Sequence, residues 1–116
     1  MKIKATYPVI FVNDPKKTIE FYERYFGYQV SHINQDILND DVEFTMDNGK
    51  DRISIIQTKK VNDATGIKVI TDDLLECLSE YQKYGYEIID GGNNDTSKAI
   101  YLKDKNKYIV LMNHIK

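Results

Sequence analysis

The feature that most constrains this chain is a helix and its exit, stated twice. "VNDPKKTIEFYERYFGYQV", Val12 to Val30, returns 58 positions later as "TDDLLECLSEYQKYGYEI". Asp14 to Gly27 spans the same interval as Asp72 to Gly85, and Tyr28 matches Tyr86. In the hairpins that follow, the offset is 56, so Phe44, Met46 and Ile55 meet Ile100, Leu102 and Leu111. A solenoid needs more and shorter repeats. Two long copies instead predict a duplicated unit, each of whose sheets must hide an apolar face against another layer.

Each copy reads β-α-β-β-β. "YPVIFV" is a short apolar, β-branched run and predicts a buried strand. Asp14 caps a helix with Pro15 at its first position, where the missing N–H costs nothing. Ile19, Tyr22 and Phe26 form its expected buried stripe, and Gly27 is the left-handed stop. "YQVSHI" is read as a strand and "NQDILNDD" as a polar loop. Asn48-Gly49 between "VEFTM" and "RISIIQT" predicts a hairpin whose two turn residues both take positive φ. "TKKVNDATG" has no periodicity and reads as a joint. The second copy repeats the plan: "IKVIT", a capping box from Asp73 and Glu76, a stripe of Leu74, Leu78 and Tyr81, a stop at Gly85, then "YEII", "AIYL" and "YIVLM". The predicted organisation is one domain, 1–116, with modules at 5–58 and 66–116 and a linker at 59–65.

Composition narrows the function. Sixteen basic against eighteen acidic side chains leave a formal charge of −2, without the basic face that nucleic-acid binding needs. The single cysteine, Cys77, excludes an intramolecular disulfide and a Cys-rich zinc site, and fits a reducing compartment. No apolar run approaches the roughly 18 residues of a membrane span. The expectation is a soluble, cytoplasmic protein with no nucleic-acid or membrane partner.

With its opening strand, the stretch Val12–Val30 resembles the vicinal oxygen chelate superfamily, the glyoxalase, bleomycin-resistance and extradiol dioxygenase group. The carrying pattern is strand, Asp, a capped helix with Phe21-Tyr22, and a Gly-hydrophobic exit. The closing "DKNKYIVLM" resembles the family's Asp-Pro-Asp-Gly turn and last strand, with Lys105 and Lys107 replacing Pro and Gly. The resemblance covers about Tyr7 to Ile115. It implies an α+β fold of two tandem βαβββ modules, a curved, mostly antiparallel sheet cup with helices on the convex face. It also implies a homodimer.

Family enzymes hold a divalent metal through His or Glu on the first strand and Glu near the last strand of each module, leaving positions open for substrate oxygens. The matching positions here are Tyr7, Ile55, Gly66 and Leu111, and none is an ordinary metal ligand at neutral pH. The expectation is therefore no metal and no cofactor. His32 and His114 are the only imidazoles; strand parity turns His114 away if Leu111 faces the cup, and the register of His32 stays open.

The same parity nominates a ligand-binding lining: Tyr7, Val9 and Phe11; Ile53, Ile55 and Gln57; Lys68 and Ile70; Ile109, Leu111 and Asn113. These make an apolar wall with a few polar groups, the usual build of a small-molecule site. Burial of Ile67 and Val69 under a helix aims Lys68 at the cup or its rim, where an ammonium can pair with an anionic ligand. No catalytic residue is nominated. Ser31 and His32 are strand neighbours with opposed side chains; Cys77 has no basic partner nearby in sequence; Gly91-Gly92 lack a phosphate-cradling pattern. The leading expectation is a metal-independent small-molecule-binding protein that sequesters an antibiotic or metabolite. The alternatives are a metal-dependent lyase or dioxygenase-type enzyme with atypical ligands, or a purely structural dimerising domain.

Overall fold

The computed structural model describes residues 2–92 and 99–114. Along the chain lie β1 (Ile3–Val12), α1 (Lys16–Phe26), β2 (Gln29–Leu38), β3 (Asp41–Asp47), β4 (Arg52–Gln57), β5 (Ala64–Thr71), α2 (Leu74–Lys83), β6 (Glu87–Asp90), β7 (Ala99–Asp104) and β8 (Lys107–Asn113). The duplicated β-α-β-β-β order is present, and the fold is α+β with a mixed sheet.

Two compact units divide the chain. The first is Pro8–Thr65; the second joins the stretch ending at Tyr7 to the stretch from Gly66 onward. In the first unit the strand order is β2-β3-β4-β1, with β1 parallel to β4 and the other pairs antiparallel. The second runs β1-β5-β8-β7-β6, with β5 parallel to β8. The N-terminal residues are fixed to the second unit by polar contacts. Thr71 Oγ1 donates to Lys2 O at 2.6 Å, and Lys4 Nζ lies 3.1 Å from Asp72 Oδ2.

The helices start and stop for local reasons. Asp14 Oδ1 accepts from Lys16 N at 3.2 Å, and Ile19 N bonds Pro15 O at 2.8 Å, so the cap acts one residue ahead of the regular helix. Asp73 Oδ1 accepts from Glu76 N at 3.0 Å to start α2. Gly27 sits at φ 71° and Gly85 at φ 103°, the left-handed region that glycine enters without steric cost. The tyrosine after each glycine then folds back on its helix. Tyr28 meets Tyr22, and Tyr86 meets Tyr81, both edge-on with centroids 5.7 Å apart. The Gly-Tyr echo is thus a repeated packing device. Burial is the main reason that Tyr28 and Tyr81 titrate above the ordinary tyrosine value.

Three local expectations need correction. Phe26 does not join the buried stripe of α1; it is exposed, and Ile19 and Tyr22 do the packing with Tyr28. β2 continues through "NQDIL" to Leu38, and the turn is Asn39-Asp40, with Asn39 at φ 53°. A strand at the end of a sheet order tolerates such polar residues because one side of its ladder faces no partner. The Asn48-Gly49 hairpin exists, but only Gly49 takes positive φ. Asn48 Oδ1 accepts from Lys50 N and Asp51 N at 3.0 and 2.7 Å, closing a four-residue loop by an Asx turn.

Candidate ligand-binding face

Cross-strand partners project to the same side of a sheet, so two apolar clusters assign the faces. In the first unit Val12, Met46, Ile53 and Ile55 pack with Ile19 and Tyr22 of α1. In the second, Val69, Ile100, Leu102, Ile109 and Leu111 pack with Cys77, Leu78 and Tyr81 of α2. The residues that alternate with these rows form the faces turned away from the helices. On the first unit these are Val9 paired with Ser54, Phe11 and Glu43 each paired with Ile56, and Thr45 paired with Ser54. On the second they are Lys68 and Tyr101, each paired with Val110, and Ile70 paired with Met112.

This separates the nominated lining into two sets. Tyr7, Val9 and Phe11 alternate on the helix-free side of β1, and Lys68 and Ile70 on that of β5. Ile53, Ile55, Gln57, Ile109, Leu111 and Asn113 belong to the helix-facing rows, contrary to the parity argument. Gln57 pairs with Val12, and Asn113 with Thr71. The reason is a register error of one residue on β4 and β8, which inverts every side chain of a strand. Burying Ile53 and Ile55 under α1 stabilises by about 2 kcal/mol each, and that fixes the register the chain adopts. Because Leu111 faces α2, the premise used for His114 also fails. His114 Nδ1 lies 3.4 Å from Asp72 Oδ1, and its backbone N–H bonds Thr71 O at 2.7 Å.

The corrected register does not restore a metal site. The helix-free neighbours of Ile55 and Leu111 are Ser54, Ile56, Val110 and Met112, none of them a carboxylate or imidazole. At Gly66 an added Cβ would collide with the backbone carbonyl of Tyr108. No donor side chain fits there without moving a strand. Among the described residues no three His, Cys, Asp or Glu side chains converge as a metal-binding group. The donors present do not fit the family's metal.

What the helix-free face of the first unit does hold is a buried carboxylate. Glu43 and Ser54 are each 2% exposed, and Ser54 Oγ donates to Glu43 Oε2 at 2.6 Å. Removing a carboxylate from water costs several kcal/mol unless hydrogen bonds replace its hydration. Around the pair stand Val9, Phe11 and Ile56, all fully buried. Glu43 has a further interaction besides Ser54, so it accepts a ligand N–H or O–H, or takes a proton from an acidic group, only where that ligand displaces what now buries it. Lys68, 8% exposed, is the buried charge on the corresponding face of the second unit.

Glu43 and Ser54 were missed, although a signal existed. In "VEFTM" and "RISII" the polar residues Glu43, Thr45 and Ser54 alternate with apolar ones, and the hairpin pairs Thr45 with Ser54. His32, whose register was open, pairs with Thr45 and is exposed on the same face; Asn34 pairs with Glu43. At the far end of this face Asp47 accepts from Ser31 Oγ at 2.5 Å and from Arg52 Nε at 2.9 Å. The Ser31 hydrogen bond, followed by that from Arg52, holds the Asp47 carboxyl below its usual range.

The family model for the Glyoxalase/Bleomycin resistance protein/Dioxygenase superfamily matches residues 4–110. No curated protein sequence matches the chain. Among solved structures, methylmalonyl-CoA epimerase from Mycobacterium tuberculosis is similar with TM-score 0.62 and 14% identity, over 99% of this chain and 89% of that one. A variant of the Streptomyces coelicolor methylmalonyl-CoA epimerase bound to 2-nitronate-propionyl-CoA gives 0.57 and 13%, over 97% and 96%. A Legionella pneumophila protein described as an NAD-dependent benzaldehyde dehydrogenase gives 0.62 and 13%, over 96% and 100%. At such identities the likeness establishes the fold and leaves activity to the site. No helix of the described residues is long and apolar enough to cross a membrane.

Proposed function

The chain belongs to the Glyoxalase/Bleomycin resistance protein/Dioxygenase superfamily, and from that premise we propose that it is a metal-independent small-molecule-binding protein whose ligand is held against the helix-free face bearing Glu43 and Ser54. One observation carries the reading. The hairpin rows that face the helices are apolar in both copies, while the helix-free rows differ in polarity at three hairpin positions and stay apolar at Phe11 and Ile56, matched by Ile70 and Met112. Phe44, Met46 and Ile55 have apolar counterparts in Ile100, Leu102 and Leu111. On the other face, Glu43, Thr45 and Ser54 stand opposite Ala99, Tyr101 and Val110 at the same offset of 56. Val9, the partner of Ser54, answers to Lys68, the partner of Val110. Packing keeps one face alike in both copies, and specialised chemistry accounts for the unlike face.

In this reading Val9 and Phe11 supply the apolar wall and exclude water, while Glu43 accepts a donor group of the ligand. On the second unit, Tyr7, Lys68 and Ile70 are proposed as ligand contacts of that unit's own helix-free face, Lys68 for an anionic group; Lys68→Met tests that separately. Sequestration of an antibiotic or metabolite, as a homodimer, is the physiological role proposed. The test is a thermal-shift screen of the untagged protein against glycopeptide and quinone antibiotics, alongside elemental analysis. A saturable rise in Tm that Glu43→Gln weakens supports the reading. Stoichiometric nickel, zinc, manganese or iron, or no shift with any probe, overturns it.

A second reading is favoured by the same carboxylate. Glu43 in an apolar wall is suited to take a proton from carbon, and several structural neighbours are described as methylmalonyl-CoA epimerases. Deuterium wash-in to methylmalonyl-CoA in D2O, abolished by Glu43→Gln, would replace simple binding with proton-transfer catalysis.

A further inference from the structure

A recess lies at one edge of the first unit. β1 and β4 are parallel and end side by side, with Thr58 N bonding Val12 O at 2.9 Å as the last rung. β3 runs the other way and begins there, so the Asn39-Asp40 turn reaches the same edge. Three separate stretches of the chain enclose a cleft of about 630 Å³.

Every lining side chain carries a polar group, and carbon and polar atoms share the wall about equally. Asn13, Asn39 and Gln57 contribute primary amides; Asp40 and Asp41 are balanced by Lys59 and Lys60. The floor is built before any ligand arrives. Asp41 and Thr58 are buried, Lys60 Nζ lies 3.2 Å from Asp41 Oδ2, and Lys60 N bonds Thr58 Oγ1 at 3.1 Å. The four charges sum to zero, so the cleft has no excess charge to draw in an ion, and a wholly hydrophobic ligand would leave its polar groups unsatisfied. Each primary amide presents a donor and an acceptor on one group. A hydroxyl presents the same pair, so the complementary ligand is rich in hydroxyls and carries no charge.

We propose that this cleft is a second binding site, for a neutral polyhydroxylated small molecule such as a sugar or cyclitol. It is separate from the Glu43 face: Gln57 belongs to the opposite row of β4. The experiment is an NMR titration of the full chain with D-glucose, D-ribose and myo-inositol, with glycine and inorganic phosphate as charged comparators. Saturable shifts of the side-chain amides of Asn13, Asn39 and Gln57 with at least one hydroxylated probe are expected. Asn13→Leu, at an exposed position, should weaken that response about fivefold, the loss of one hydrogen bond, while Glu43→Gln leaves it unchanged. Linear, unsaturated drift with all three polyols, saturation with glycine or phosphate instead, or a response insensitive to Asn13→Leu would overturn the proposal.

Discussion

Ser54→Ala isolates the interaction on which the candidate site depends. The Ser54 hydroxyl donates to Glu43 at 2.6 Å, and both residues are 2% exposed. A hydrogen bond to a charged group contributes about 1.5–3 kcal/mol. The upper range for stranding a buried charge, about 3–5 kcal/mol, does not apply, because Glu43 has a further interaction. We therefore expect a loss of about 2 kcal/mol, seen as a fall of about 8 °C in Tm for a domain of this size. Glu43→Gln keeps an oxygen to accept the same bond without charge, so Ser54→Ala in that background should cost about 1 kcal/mol. The coupling between the sites is then about 1 kcal/mol. Urea unfolding at pH 7 gives all four corners of the cycle. The chain has no tryptophan, so far-UV circular dichroism and tyrosine fluorescence are the two probes. A single-mutant loss below about 0.5 kcal/mol, or equal losses in both backgrounds, would mean that the bond does not hold the carboxylate.

Gly66→Ala should destabilise by more than about 2 kcal/mol, since the atoms in the way are the Tyr108 backbone; a wild-type Tm would show that β5 and β8 have room for a donor after all. Tyr28 and Tyr81 have raised folded values, so their contribution is complete below about pH 10 and is lost as pH rises through the higher folded values. Tyr28→Phe with Tyr81→Phe should flatten the alkaline decline of the urea midpoint, and an unchanged decline would assign it to other groups. Phe21, Tyr25 and Phe26 lie exposed and in ring contact along α1, an apolar patch of the kind that association covers. Light scattering should give a dimer for the wild type and a monomer for Phe21→Glu/Tyr25→Glu; a wild-type monomer would end the homodimer proposal.

The fold was legible because its signals are local and stated twice. A capped helix, a left-handed glycine and a tyrosine that folds back require only the residues themselves, and the echo supplied the element order. Register was not legible. Where β4 and β8 stand against β1 and β5 depends on which rows fit under α1 and α2, a tertiary matter that spacing from a capping residue does not determine. The error was one residue, and on a strand that is the whole difference between lining and core. Phe26 failed for a related reason: periodicity places it on the stripe, but Ile19, Tyr22 and Tyr28 make the contacts with the sheet, and Phe26 stays exposed beside Phe21 and Tyr22. The cleft at the strand ends had no sequence signature, because its residues come from three separate stretches of the chain.

The register also changes what chemistry is available. A metal site of the family's kind needs donors on both first strands, and one of those positions here is a glycine closed off by the Tyr108 carbonyl. The first unit instead invests in Glu43 and Ser54, while its duplicate has Ala99 and Val110 at the same places. A divalent ion can polarise two substrate oxygens at once and stabilise developing negative charge. A carboxylate held by a hydroxyl cannot do that; it attracts donors and protons and repels anions. An anionic group would need a cation, and Lys68 is the buried one that the second unit presents on its helix-free face. The two charges therefore make opposite demands on a ligand. Glu43→Gln should weaken ligands through their donor groups, and Lys68→Met through their anionic ones. A ligand whose affinity falls with Glu43→Gln is thereby read as a donor to the first unit's face, and one whose affinity falls with Lys68→Met as an anion held by the second unit's face, so each binding curve describes the chemistry of its own unit.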